Sequence, residues 1–463
     1  MKIILIIILS IVLTTLLFAQ EEGNENSVEI SVMESQRNII RFGTETEIAA
    51  LIQTLRNDRS TYLDEELIQV ANRTRNRNIL TGIFALFGEM ERSGLEERAL
   101  RAISERDYEA NETVSAAVDY LGRVRAREAI SVLEELVNSG ESRFLTASLR
   151  ALGRVVGGST GNNREIEETE RVAFFLLDYF NNRNPSDDNR REILIALGET
   201  GSNVSVSFLS NIVTNQEERP FLRIAALNSL AIIGDEGGME AVVEAVSSSD
   251  PNIRSAAIGA LGPFSGDIVD EAILEAFRDS FWRTRVGAAQ AAGQRQMISA
   301  IPFLRFRAEN DDTPQVRTEA IRALGAINNN ESIEIVDGLF FNRRSSDTVR
   351  LVCGEVLLQY RADTYAVRIS AEMEDARQRN QTALYNGFIR MMSTARSSTL
   401  EPFTRSLMST GGVIERSLAL DLIMNNEFRG MEEDIRALLD EQRHGISISR
   451  KARLTLERLG LSE

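Results

Sequence analysis

Arginine returns along this chain at Arg190, Arg223, Arg254, Arg285, Arg317 and Arg350, at intervals of 33, 31, 31, 32 and 33 residues. Each copy opens the same short phrase. In SSDPNIRSAAIGALG (Ser248 to Gly262) and NDDTPQVRTEAIRALG (Asn310 to Gly325) the arginine is followed by a small residue three positions on. Large apolar residues follow at four and seven, and glycine at eight. The template continues upstream from Leu80, Val114 and Leu145 and downstream from Leu384, Arg416 and Ala452, with another first residue in all of these but Arg416. A phrase kept at a fixed period marks a repeat array, in which no unit has a sufficient core of its own.

Offsets of three, four and seven share one face of an α-helix, so Ala257, Ile258 and Leu261, like Ala320, Ile321 and Leu324, are expected in a core. The glycine that follows, at Gly88, Gly122, Gly153, Gly198, Gly262, Gly293 and Gly325, suits a left-handed helix end. Between each glycine and the next copy lies a second amphipathic run, such as REAISVLEELVNS or DEAILEAFRDS. The fold class is therefore all-α, a solenoid of about twelve to thirteen stacked antiparallel helix pairs. Residues 62–463 are assigned to the repeats and 34–61 to a divergent N-terminal helical cap. Two departures stand out. Between Leu145 and Arg190 the interval swells, and VVGGSTGNNREIEETE, Val155 to Glu170, reads as a loop insertion; over 361–412 the template degenerates.

The pattern D-P-x-[IV]-R-x-x-A-I-x-A-L-G, at Asp250 to Gly262 and more loosely at Asp312 to Gly325, resembles the short bacterial HEAT-like repeat first noted in phycobilin lyases. The resemblance implies an arginine–aspartate ladder between successive repeats. Its members would be Arg190, Arg223, Arg254, Arg285, Arg317 and Arg350, with Asp250, Asp279, Asp312 and Asp347 in the preceding turns. A cation in the first turn of a helix opposes the macrodipole, so a recurring one needs a carboxylate beside it. Arg223 would use Glu217 and Glu218 instead. The ladder is read as structural.

The N-terminus carries an address. Lys2 is followed by an apolar run from Ile3 to Phe18 and then an acidic, polar stretch, the build of a secretory signal peptide over 1–20 with a mobile leader at 21–33. Export to the periplasm is expected, with no membrane span once the signal is cleaved. The alternative is an uncleaved anchor in the inner membrane facing the periplasm.

Composition removes several chemistries. The net charge of −17 opposes nucleic acid backbones and anionic membranes. One cysteine, Cys353, and one histidine, His444, allow neither a disulfide nor a Cys/His metal site. Cys353 occupies a slot that holds alanine in other copies and is expected in the core, while His444 reads as a favourable charge at a helix end. Trp282 reads as an apolar staple at a helix entrance or as a surface aromatic for binding. Of 52 basic residues only Lys2 and Lys451 are lysine, which leaves little for Schiff-base chemistry. No P-loop or dinucleotide fingerprint is present. Neither a catalytic, cofactor-binding nor metal-ligating set is assigned, and no cofactor is expected.

The expected function is a non-enzymatic, exported scaffold that binds a protein or cell-envelope component on the concave surface. The alternative is a periplasmic hydrolase using a carboxylate pair on the same scaffold. Offset five remains as the exposed stripe of each arginine-led helix, which selects Asn228, Gln290, Arg322 and Glu355 for partner contact. Oligomeric state leaves no trace in the sequence. Protein recovered from its native cell is expected to begin near Gln20 or Glu21 on N-terminal sequencing. Intact Met1 in a membrane fraction would contradict cleavage.

Overall fold

A computed structural model describes residues 25–158 and 162–461, with side chains from residue 32 onward. The signal segment 1–20 lies outside them. Every regular element among the described residues is helical, and the helices alternate in pairs within two compact units, Met1–Gly238 and Met239–Glu463. In the first unit, helices Glu25–Phe42 and Glu45–Asn57 precede repeats whose second helices are Arg77–Glu89, Asn111–Arg123, Ser142–Val156, Asp187–Thr200 and Pro220–Ile233. In the second unit the second helices are Pro251–Ala260, Trp282–Gln294, Pro314–Ile327, the first part of Asp347–Gln378, Thr382–Met392, Val413–Asn426 and Ile446–Arg458. All twelve template phrases fall on these second helices.

Helix starts follow from local chemistry. Pro220, Pro251 and Pro314 occupy first-turn positions where a missing N–H costs nothing, and Asp250 accepts the Asn252 and Ile253 amides at 2.7 and 3.4 Å. Offsets three, four and seven are buried in every copy, from Ile83, Phe84 and Phe87 to Thr455, Leu456 and Leu459. Cys353 is fully buried among them, and burial pushes its thiol pKa up, away from reactivity. Each large side chain so buried contributes about 1.5–3 kcal/mol.

The template glycine does not end its helix. Gly88, Gly122, Gly153, Gly198, Gly293 and Gly325 lie inside second helices, and neither they nor Gly262 have positive φ. The left-handed residue stands three positions later, at Glu91, Arg125, Gly201, Gln296 and Asn328. What excludes a side chain is the next repeat. A Cβ on Gly153 would lie 2.5 Å from the carbonyl oxygen and 2.7 Å from the Cα of Ala196, and one on Gly293 would lie 2.9 Å from the Cα of Ala323. Gly198 meets Ser229 in the same way, 2.7 Å from its Cα. Offset eight of one second helix thus packs on offset six of the next, which is alanine or serine from Ala151 to Ala323.

Polar groups bind the same stack at its turns. Arg254 donates from Nε and Nη2 to the Asp279 carboxylate at 2.6 and 2.9 Å, and from Nη1 to the Ser248 and Ser249 carbonyls at 3.0 and 3.1 Å. Arg285 repeats this arrangement on Asp311 at 2.7 and 2.8 Å, and on the Asp279 and Ser280 carbonyls at 2.9 and 3.1 Å. Asp279 also accepts the Phe281 amide at 2.7 Å, and Asp311 the Thr313 amide at 2.9 Å. Each rung therefore joins one second helix to the turn that shapes the next.

The rungs differ from the expected set in ways that geometry explains. Asp312 is exposed, whereas Asp311, the residue capping helix Ile301–Asn310 at its C-terminus, is buried and turned back towards Arg285. Asp250 is used as an N-cap, and Asp347 lies in the first turn of its own helix. Glu218 pairs with Arg190, so Arg223 donates instead to the Val213 carbonyl at 2.8 Å. Arg350 reaches Glu372 at 2.8 Å and the Phe340 carbonyl at 3.1 Å.

Three boundaries also change. Residues 25–33, assigned to a leader, belong to helix Glu25–Phe42. The stretch assigned to a loop at 155–170 is mostly helix, because Ser142–Val156 ends late and Asn163–Asn182 starts early, extending the first helix of that repeat to 20 residues. Asn162 caps it through the Glu165 amide at 2.9 Å, and Arg127 holds Glu168 at 3.1 Å, so the added turns rest on the preceding repeat. Over 361–412 the alternation of helices persists; what changes is that Asp347–Gln378 passes from one helix to the next through a kink at Arg361 (φ −144°, ψ 39°). The Arg361 guanidinium bonds the Asn328 carbonyl at 2.9 Å and fixes that bend.

Two outcomes test these contacts. Replacing glycine by alanine inside a helix ordinarily stabilises by about 1 kcal/mol, but at Gly153 the new methyl meets backbone that cannot rotate away, and overpacking costs about 1–3 kcal/mol. Gly153→Ala is expected to lower the stability measured by urea unfolding, and a gain would contradict the close approach. The Arg254 hydrogen bonds hold the Asp279 carboxyl below its usual range against burial; burial pushes Asp311 up, but Arg285 and the Thr313 amide outweigh it and leave it lowered too. Folded values below the unfolded one, about 3.9, contribute stability that is complete above that pH and is lost as pH falls through the folded values. Tm is expected to fall below about pH 4, and Asp311→Asn is expected to lower Tm at pH 7 and flatten the acid decline. An unchanged neutral Tm would remove the rung from the account.

Candidate binding face

Once offsets three, four and seven are buried and six is taken by the neighbouring glycine, each second helix has a single row left facing solvent. Asn228, Gly259, Gln290, Arg322 and Glu355 are all exposed. Gln290, Arg322 and Glu355 lie on second helices of the second unit that pack on one another in succession, namely Trp282–Gln294, Pro314–Ile327 and the start of Asp347–Gln378. Asn228 lies on Pro220–Ile233, in the first unit. Arg322 has one ionic contact, Glu319 on its own helix at 3.4 Å.

Beside Glu355 the row opens into a groove of about 710 Å³ between the kinked helix and Thr382–Met392. Leu351, Leu358 and Met391 supply its apolar lining, and Glu355, Arg390 and Arg396 its charged groups. The groove exists because of the degenerate stretch. Arg361 bends the chain at one end, and Gly387 lets Leu351 approach so closely that a Cβ there would fall 2.8 Å from its Cδ2. Arg390 and Arg396 are exposed, and among the described residues neither has a carboxylate within ion-pair distance. The sequence template could not point to them, since the phrase is weakest there.

The corresponding row of the first unit is different in kind. At offset five stand Asp119 and Arg150, and at offset nine Arg123, Arg154 and Glu199. Arg150 bonds Glu192 at 2.8 and 3.0 Å, while Arg154 bridges Asp119 at 3.1 Å and Glu199 at 3.2 Å across three successive second helices. Arg123 adds a contact to Asp119 at 2.6 Å. Burial pushes the Glu199 carboxyl up, with Arg154 opposing it. This face is tied together by its own charges. The pattern was present in the sequence as charges at offsets five and nine of successive copies, but only the stacking register shows that they meet.

The remaining singular residues occupy structural positions. Trp282 opens helix Trp282–Gln294, half-buried, with the Arg283 guanidinium 4.9 Å from its ring. His444 ends a short helix and its Nδ1 accepts from Arg416 Nη1 at 3.1 Å, so the imidazole serves here as an acceptor beside a cation. Among the described residues no group of three or more His, Cys, Asp or Glu side chains could hold a metal ion, and no helix is long and apolar enough to cross a membrane.

Comparison with known proteins bears on this architecture. No curated protein sequence matches the chain. Among solved structures, the karyopherin Kap121p bound to the extreme C-terminus of the protein phosphatase Cdc14p is similar at 12% identity and a TM-score of 0.46, over 95% of this chain and 55% of that one. This chain thus spans about half the length of the karyopherin chains it matches. The CpcE–CpcF complex of phycocyanin lyase from Nostoc sp. PCC7120 is similar at 18% identity and a TM-score of 0.32, over 50% of this chain and 88% of that one. Human deoxyhypusine hydroxylase in complex with glycerol is similar at 17% identity and a TM-score of 0.25, over 61% and 97%. The sequence itself matches the family described as spirochaete HEAT repeat protein over residues 40–455. With that match running from the first described helix to the last, the chain belongs to the spirochaete HEAT-repeat protein family.

Proposed function

We propose that this chain is an exported scaffold that binds another protein or a cell-envelope component along the second-helix face of its second unit. The observation that carries the reading is the contrast between the two faces. In the first unit the row is cross-linked by Arg150–Glu192 and Asp119–Arg154–Glu199, so a partner would have to displace or bury ion pairs that already satisfy one another. In the second unit Gln290, Arg322 and Glu355 lead into a groove whose leucine and methionine lining supplies apolar burial and whose Arg390 and Arg396 have charge to offer. An apolar floor with a polar rim is the usual anatomy of a protein-binding surface. Export enters through the apolar run Ile3 to Phe18, and it sets the compartment in which the partner is sought.

The test uses the full chain in its native cell. A photo-crosslinking residue at Thr394, exposed in the groove lining, is expected to trap a defined partner. Combining Gln290→Ala, Arg322→Ala and Glu355→Ala is expected to weaken that capture at least about tenfold, roughly 1.4 kcal/mol. Exposed residues seldom move stability by more than about 0.5 kcal/mol, so helical content and Tm should hold. Undiminished capture by the folded triple variant would contradict the assignment of this face.

A further inference from the structure

Two rungs of the ladder lack a carboxylate, Arg223, which turns to the Val213 carbonyl, and Arg317. Arg254 and Arg285 each bind an aspartate in the turn that follows the first helix of the next repeat, Asp279 and Asp311, and those aspartates also accept the amide two residues on. At Arg317 the equivalent residue is Asn342. It ends helix Asn330–Phe341 and accepts the Arg344 amide at 3.0 Å through Oδ1, the same local turn, but it brings no charge. The Arg317 Nε is buried with no hydrogen-bond partner. Around it lies a cavity of about 310 Å³ lined by Arg344, Ser345 and Ser346 as well as Asn342. Glu309 also borders the cavity, and Arg305 holds it at 3.1 Å along its own helix.

A half-buried guanidinium whose buried Nε has no partner keeps an open donor, and two arginines and two hydroxyls bordering one cavity supply what an oxyanion needs. We propose that this cavity is an oxyanion-binding site, in which a carboxylate or phosphate takes the place that Asp279 and Asp311 fill in the neighbouring rungs. The ligand bonds the Arg317 fork, and Arg344 with the Ser345 and Ser346 hydroxyls completes its coordination. The site lies at the turns between helices and does not depend on the partner face being correctly assigned.

The fold itself provides the control. Asn342→Asp restores the missing carboxylate at the spacing that joins Arg254 to Asp279, so it is expected to raise Tm by about 2 °C or more and to fill the site from within. Full-length protein is heated with millimolar sodium phosphate or N-acetyl-aspartate, each against sodium chloride of equal ionic strength. Wild type is expected to gain Tm with at least one of them, while Asn342→Asp and Arg317→Gln gain none. A gain with phosphate alone assigns a phosphate ligand, a gain with N-acetyl-aspartate alone assigns a carboxylate, and a gain with both supports the shared oxyanion chemistry. No gain in wild type, or an equal gain in both variants, overturns the proposal.

Discussion

The contact on which this structure rests is backbone against backbone, where Gly153 meets Ala196, Gly198 meets Ser229 and Gly293 meets Ala323. A glycine inside a helix costs about 1 kcal/mol relative to alanine, so its repetition needs a return. The return is proximity. When second helices approach until a single methyl no longer fits, their buried residues at offsets three, four and seven pack together, and the apolar area that no single pair can bury is removed from water. The repeat period, the small residue at offset six and the exposure of offset five all follow from that approach.

Polar chemistry then fixes register at the turns. Bidentate arginine–aspartate bonds are directional, so Arg254–Asp279 and Arg285–Asp311 specify where each turn sits relative to the preceding helix, while the same aspartates shape the turn through its amides. Hydrophobic stacking alone would tolerate sliding. The carboxylates are desolvated, Asp311 most of all, and a rung stripped of one member leaves a buried charge whose cost is about 3–5 kcal/mol. That asymmetry is why the arginine keeps its place even where, as at Arg223 and Arg350, the partner is a carbonyl or a more distant glutamate.

Fold class was legible because period and helical spacing are properties of the chain, readable without contacts. The exposed row at Gln290, Arg322 and Glu355 followed by subtraction from the same pattern. What escaped the sequence depended on neighbours. The template glycine has the look of a helix stop, and nothing local distinguishes that use from contact with a residue in the next repeat, such as Ala196 against Gly153 or Ala323 against Gly293. Asp311 and Asp312 are adjacent carboxylates, and only the capping geometry of helix Ile301–Asn310 selects the first. Val155 to Glu170 begins with glycines and asparagines that announce a loop, yet its glutamate-rich second half is good helix material held by Arg127 and Asn162. The groove at Arg390 and Arg396 arises from a kink, which the template registers only as a loss of pattern.

If close approach of second helices governs the stack, the two sides of one contact must be energetically coupled. A double-mutant cycle of Gly293→Ala and Ala323→Gly, followed by denaturant unfolding of the full chain, measures this directly. The added methyl at 293 is expected to destabilise the wild-type neighbour and to be tolerated better once the methyl at 323 is gone. Coupling should amount to at least about 0.5 kcal/mol. Strict additivity, or a stabilising Gly293→Ala in the wild-type background, would contradict the account.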